Sequence, residues 1–355
     1  MHYKRLATAG VAALACAIGT GAACAQSSTS VTLYGLVDTG IEFLNHAGAN
    51  GSGSVYRMSP GNVTGSRWGL RGKEDLGGGL SAVFVLESGF NSDTGTSGQG
   101  GRLFGRQGYV GLQNPWGLIS LGRQINTLYD LFVPLDPVRY TSYGLLAQDA
   151  QFANRADNAI KYTGNFGNLT ITGMYSAGYD ATVVNGSEVP GNPRIGQEIG
   201  AGTSYTVGKL GMVLAYDQRR GTSAASSEMI ERRYATGLLW TDGPFTATAG
   251  YRFLQGTIAT PSLRAHLYWI GGSYNFTPAF VVRAGVYRTD RRDSPNDAMS
   301  YAMAMAYTLS KRTDLYLNAS FMDNKGASTL GVVNGGTVAP GVNQTGVVAG
   351  IRHIF

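Results

Sequence analysis

In the stretch SRWGLRGKEDLGGGLSAVFVLESGF, Arg67, Arg71 and Lys73 share one face of an extended chain, while Trp68 and Leu70 share the other. The returning segment turns Glu87 toward the charged face and Ala82, Phe84, Leu86 and Phe90 away from it. A second segment repeats the pattern, with Arg155, Asp157 and Lys161 opposite Ile160 and Tyr162. Between two packed sheets, such side chains would be buried at a large desolvation cost. They need a wet face, where fixed charges orient polar solutes and sort ions by sign. Acid–base and nucleophilic chemistry have no comparable footing. Glu42, Glu87 and Asp157 are single inward carboxylates rather than a working pair. His46, His266 and His353 stand among bland neighbours, and no H-E-x-x-H, G-x-S-x-G or P-loop spacing occurs. No catalytic activity, cofactor or metal is expected.

The elements that carry these charges alternate with period two. In SVTLYGLVDTGIEFL, Val31, Leu33, Val37, Ile41 and Phe43 point one way and Thr32, Asp38 and Glu42 the other, over enough residues for a tilted strand to cross a hydrocarbon layer. Seven short turns follow, at Asp75-Leu76-Gly77-Gly78-Gly79, Asn114-Pro115-Trp116-Gly117, Asn165-Phe166-Gly167-Asn168, Val207 to Gly211, Thr241 to Pro244, Asn275 to Pro278 and Leu309 to Asp314. Eight longer polar, glycine-rich stretches lie between them, near 46–61, 92–101, 125–154, 179–197, 220–230, 256–262, 290–297 and 325–342. Fifteen connections join sixteen strands, and short turns on one side with long loops on the other are the asymmetry of an outer-membrane barrel. The expected fold is all-β: one sixteen-stranded antiparallel transmembrane barrel, wide enough to enclose water.

Composition agrees. The chain has 52 glycines, 20 tyrosines and only 14% charged residues, without the period of three of collagen or the aromatic poverty of disorder. Residues 1–25 read as a secretory signal peptide, with Lys4 and Arg5, the apolar run Leu6 to Ile18 and Ala23-Cys24-Ala25 as cleavage site. Cleavage leaves residues 26–355 as a single barrel domain. It also removes Cys16 and Cys24, and with them any disulfide or thiolate site. The net charge of +6, less after cleavage, is too mild to argue for nucleic acid. Trp116, Tyr162, Phe166, Trp240, Phe245, Tyr274, Phe276 and Phe280 cluster beside the short turns, where an aromatic girdle belongs.

The ordered motifs SVTLYGLVD, SRWGLRGKEDLGGGL, ESGF, GRLFGRQGYVGL, LGRQ, NAIKYTG and GIRHIF resemble the trimeric general porins of Gram-negative outer membranes, particularly the beta-proteobacterial type. That resemblance implies a homotrimer in outer-membrane lipid whose third loop folds into the lumen, placing acidic loop residues opposite basic wall residues. Arg67, Arg106 and Arg155 stand where the family places its constriction arginines, and Asp136, with Asp130 nearby, would supply the acidic loop. Residues 125–154 contain Leu131, Phe132 and Val133, much too apolar for a loop in water, which an inward fold would explain. Where enteric members carry a glutamate in a PEFGG turn, this chain has PVRY, with Arg139 and Tyr140, so a negative charge is missing. The resemblance also makes Phe355 part of a signal for the barrel-assembly machinery, facing lipid on a closing strand.

The expected activity is passive diffusion of small hydrophilic solutes, with weak anion preference or near-neutral selectivity. A substrate-specific channel for organic acids or oligosaccharides is the alternative. A sugar slide needs a row of inward aromatics, for which only Tyr34 and Phe104 are candidates.

Overall fold

A computed structural model describes residues 29–48, 50–180, 188–258, 263–292 and 294–355. The leader expected over residues 1–25 lies outside them. The strands are β1 Ser30–Asn45, β2 Ser54–Pro60, β3 Arg67–Gly77, β4 Leu80–Gly89, β5 Gln107–Asn114, β6 Gly117–Ile125, β7 Arg155–Phe166, β8 Leu169–Ser176 and β9 Glu198–Val207. They continue as β10 Leu210–Arg220, β11 Ile230–Asp242, β12 Phe245–Gly256, β13 Leu263–Asn275, β14 Phe280–Arg291, β15 Ala298–Ser310, β16 Thr313–Asn324 and β17 Gln344–Ile354. Neighbours pair antiparallel, and β1 pairs with β17 on one edge and with both β2 and β3 on the other. The sheet is therefore closed, and no edge is left to aggregate or to face lipid unpaired.

The seventeen segments fill sixteen positions, because β2 and β3 lie end to end along β1: Thr39 to Asn45 meet β2, and Ser30 to Leu36 meet β3. This corrects the reading of residues 46–61 as one loop, since Ser54–Pro60 is strand. Tyr56 and Met58 are exposed on its outer face and Arg57 reaches Glu42 inside, an alternation too short to stand out among serines and glycines. Residues 61–66 then leave the ladder. Asp38, fully buried, replaces the lost pairing: it accepts the backbone N–H of Val63 and Thr64 at 2.8 and 2.7 Å and the Tyr316 hydroxyl at 2.6 Å.

Period two sends apolar side chains outward on every wall. Ile41, Val110, Leu121, Ile160, Leu214 and Ile270 are all more than half exposed, the surface that lipid covers. The short turns take left-handed backbone where hairpins demand it, with φ of +63°, +56° and +53° at Gly167, Gly208 and Gly243. Beside those turns the aromatics touch one another: Trp240 and Phe245 at 5.9 Å, Tyr274 and Phe276 at 4.9 Å between ring centroids. Toward the long-loop ends a second row runs through Tyr216, Tyr234, Phe253 and His266. The Phe355 backbone exchanges hydrogen bonds with Gly35, at 3.0 and 3.1 Å, and its ring lies over that glycine on the outer surface, where Val31 and Leu33 are also exposed.

The third long loop, residues 126–154, occupies the interior. It carries the helices Thr127–Phe132 and Leu145–Gln148 and the 3-10 turns Val133–Leu135 and Ala150–Ala153. Leu128, Leu131, Phe132, Leu135 and Phe152 are dry, in one cluster with Val213, Ala235, Leu267, Trp269, Tyr287 and Ala302 of β10, β11, β13, β14 and β15. Glycines on the wall make room for it. A Cβ at Gly237 would come within 2.7 Å of Leu135, and one at Gly285 within 2.8 Å of Pro137. Gly285→Val should therefore lift the loop tip from the wall at a cost of roughly 1–3 kcal/mol. A changed single-channel conductance with unchanged barrel melting would register it.

Candidate functional site

Three strands bring the sequence-predicted arginines together. Arg67 opens β3, Arg106 immediately precedes β5, and Glu87 of β4 lies between them: Arg106 Nε is 2.8 Å from one carboxylate oxygen and Arg67 Nη1 3.8 Å from the other. Gly69, opposite Glu87 in register, leaves space for the Tyr34 ring, whose hydroxyl donates to Glu87 at 3.1 Å. Arg155 opens β7 and is held differently. Its Nη1 donates to the Ala153 carbonyl at 3.2 Å, its guanidinium lies 5.6 Å from the Tyr129 ring centroid, and its buried Nε has no partner. Among the described residues no carboxylate pairs with Arg155.

Arg67, Arg106 and Arg155 line one cavity of about 610 Å³ with Arg57 and Arg139, facing Tyr129, Val133 and Tyr140 of the third loop. Five arginines line it with two carboxylates, Glu42 and Asp93, and a third, Glu87, stands behind Arg67 and Arg106. Glu42 is already engaged, by Arg57 Nε at 2.7 Å and the Tyr143 hydroxyl at 2.8 Å. The charge around this cavity is therefore net positive, in a setting where low-dielectric walls concentrate the field. Asp157, on the lumenal side of β7, is taken up by Arg102 at 2.8 Å and Arg123 at 2.6 Å.

Neither acidic residue expected on the loop lines this cavity. Asp130 pairs with Lys161 of β7 and borders a separate space, of about 530 Å³, between the loop and the β5–β11 wall. Asp136 is 1% exposed and lies inside the loop rather than on water. It accepts from the Tyr287 hydroxyl and from the backbone N–H of Tyr140 and Leu145 at 2.9 and 3.1 Å. Burial raises its carboxyl above the ordinary value, and these donors only partly oppose that. Its position in the chain suggested a wall-facing acid, but its structural work is to hold a turn in which Arg139 and Tyr140 both take φ of +59°, a left-handed backbone that non-glycine residues rarely adopt. The turn presents Arg139, which is exposed, to the lumen.

The far limb of the loop is tied by Asp149. Burial alone would raise its carboxyl, but Arg233 and Arg252, at 2.9 and 3.3 Å, overcome that and hold it well below the usual carboxylate range. The sequence offered no signal for this anchor, because the partners are 84 or more positions away. The glycines at inward positions of β11, β13 and β14, which mark the loop's seat where a wet wall should carry polar side chains, were missed in the sequence. Of the two aromatics expected inside, Tyr34 is lumenal, whereas Phe104 packs on Trp68, 6.4 Å between centroids and on the lipid-facing side. Tyr129 and Tyr140 pack on each other at 5.5 Å, so they do not form an extended slide.

Residues 10–327 match the Gram-negative porin family. An outer membrane porin protein of Bordetella pertussis is 33% identical across 96% of this chain and 99% of its own length. Outer membrane porin protein 32 of Delftia acidovorans is 34% identical across 97% and 98%. Among solved structures, an anion-selective porin from Comamonas acidovorans superposes with a TM-score of 0.78 at 29% identity, covering 92% of this chain and all of that one. Closed barrel, inward third loop, arginine-lined cavity and full-length kinship agree: the chain belongs to the Gram-negative porin family and is an outer-membrane channel protein.

Proposed function

We propose that the channel passes small hydrophilic solutes by diffusion, with a preference for anions and no catalytic step. One observation carries the preference: the arginine-lined cavity, which we take as the waist of the channel, sets five arginines against Glu42, Asp93 and Glu87, and Arg139 and Arg155 have no carboxylate partner among the described residues. The anion selectivity named for the Comamonas acidovorans structure supports the same reading. Ion substitution in a planar bilayer tests it. Replacing chloride with a bulky anion should lower conductance more than replacing potassium with a bulky cation; the reverse order would overturn the proposal.

The assembly we propose is a homotrimer in outer-membrane lipid, inserted by the barrel-assembly machinery through the strand that ends in Phe355. The outward ring of Phe355 over Gly35 supports a readable terminal aromatic. Phe355→Ser should lower the yield of assembled barrel in cells several-fold while leaving refolding in detergent intact. Equal yields in cells would remove Phe355 from that role. Conductance steps in groups of three would identify the trimer.

A further inference from the structure

Below the waist a further cavity, of about 310 Å³, is lined by Arg139, Arg283, Asp314, Asn318 and Arg352, among others. Its place follows from topology. Arg283 lies near the start of β14, Asp314 near the start of β16 and Arg352 near the end of β17, all at the short-turn end of the barrel, which is the periplasmic end. The waist cavity instead reaches Asp93 and Asn334 of the long loops. The two spaces share Val63, Thr64, Val133 and Arg139, so Arg139 stands between them.

The charges of this lower cavity are unequally satisfied. Asp314 accepts from Nε and Nη2 of Arg352 at 3.0 and 2.8 Å, which neutralises that arginine. Arg139 and Arg283 have no carboxylate partner among the described residues, yet both face the same space. Asn318, 1% exposed on its wall, has neither its amide nitrogen nor its oxygen in a hydrogen bond. Buried amides are normally satisfied, and an unpaired one marks a missing partner. The turn that projects Arg139 holds two consecutive left-handed residues, a strained geometry fixed by Asp136.

We infer that this cavity is a second anion site on the periplasmic side of the loop, for a doubly charged oxyanion of the sulfate or phosphate class. Two unpaired guanidiniums supply the charge and the forked donors that such an ion accepts, and the Asn318 amide supplies a further N–H. The site rests on reading the lumen as an anion path, and it would make divalent anions dwell on one side of the waist.

The test is chloride current through single channels at constant ionic strength, with sulfate added to one side at a time. Sulfate from the short-turn side should reduce the current at least twofold more than sulfate from the long-loop side. Arg283→Gln should abolish that difference, and Asn318→Ala, which keeps every charge, should weaken it. Arg155→Gln, at the waist, should keep it. Equal action from both sides, or a difference that survives Arg283→Gln, overturns the site. A zero-current potential of cation sign would remove the anion path as a whole, whereas an anion sign without side dependence removes only this second site.

Discussion

Replacing Arg67 and Arg155 with glutamine shifts the zero-current potential toward cations and leaves assembly intact. The two contribute unequally. Arg67 shares Glu87 with Arg106, so its loss leaves Glu87 paired at 2.8 Å. Arg155 has no carboxylate to release and lies over Tyr129, so its loss subtracts a full positive charge from the waist. A unit charge 4 Å from a passing ion is worth about 1 kcal/mol at the dielectric of water, or roughly a fivefold change in how readily that ion passes. Arg155→Gln should therefore account for most of the shift. The effect belongs at roughly 0.1 M salt, where screening extends over about 10 Å, and should shrink at 1 M, where it falls to about 3 Å. An unmoved potential at low salt would mean that these arginines do not border the ion path. Assembly survives because both side chains lie inside the barrel and neither contributes to the backbone ladder.

Trp269→Ala raises single-channel conductance and blunts selectivity. The indole packs against Phe132 and Phe152, each 5.9 Å away between centroids, and those two rings meet at 5.2 Å. Its N–H donates to the Leu135 carbonyl at 3.0 Å. Removing such a side chain costs about 3–5 kcal/mol in a packed core. Here the loss falls on the contact between loop and wall, because β13 keeps its pairing with β12 and β14 whatever side chain stands at 269. The loop should then leave its seat part of the time and take Tyr129, Val133 and Arg139 out of the waist. Conductance measurements and uptake of sugars too large for the parent channel would both report the wider path. Unchanged conductance from a folded barrel would show that Asp149, Asp136 and the wall glycines hold the loop without the indole.

Much of this architecture was legible because barrels write it locally. Alternation at Val31 to Phe43, glycine turns such as that at Gly77 and the polarity of the long stretches each depend on a few neighbouring residues. Ser54–Pro60 escaped because its alternation spans only 7 residues and ends at a break held by Asp38, whose contacts lie 25 or more positions away. The inward facing of Arg67 and Arg155, which line one cavity, was legible through strand parity. The acidic side was not: whether a loop carboxylate meets water or its own backbone depends on how the loop folds, and Asp136 turned inward to cap Tyr140 and Leu145. The departure to PVRY did register in the sequence, as a missing negative charge. Its consequence, Arg139 standing between two cavities, needed the fold.

The claim that joins these results is that positive charge governs the narrowest part of the path. The zero-current potential of the unaltered channel across a tenfold potassium chloride gradient tests it directly. A potential of the sign set by chloride is predicted, larger in dilute than in concentrated salt. A potential of the sign set by potassium would contradict it.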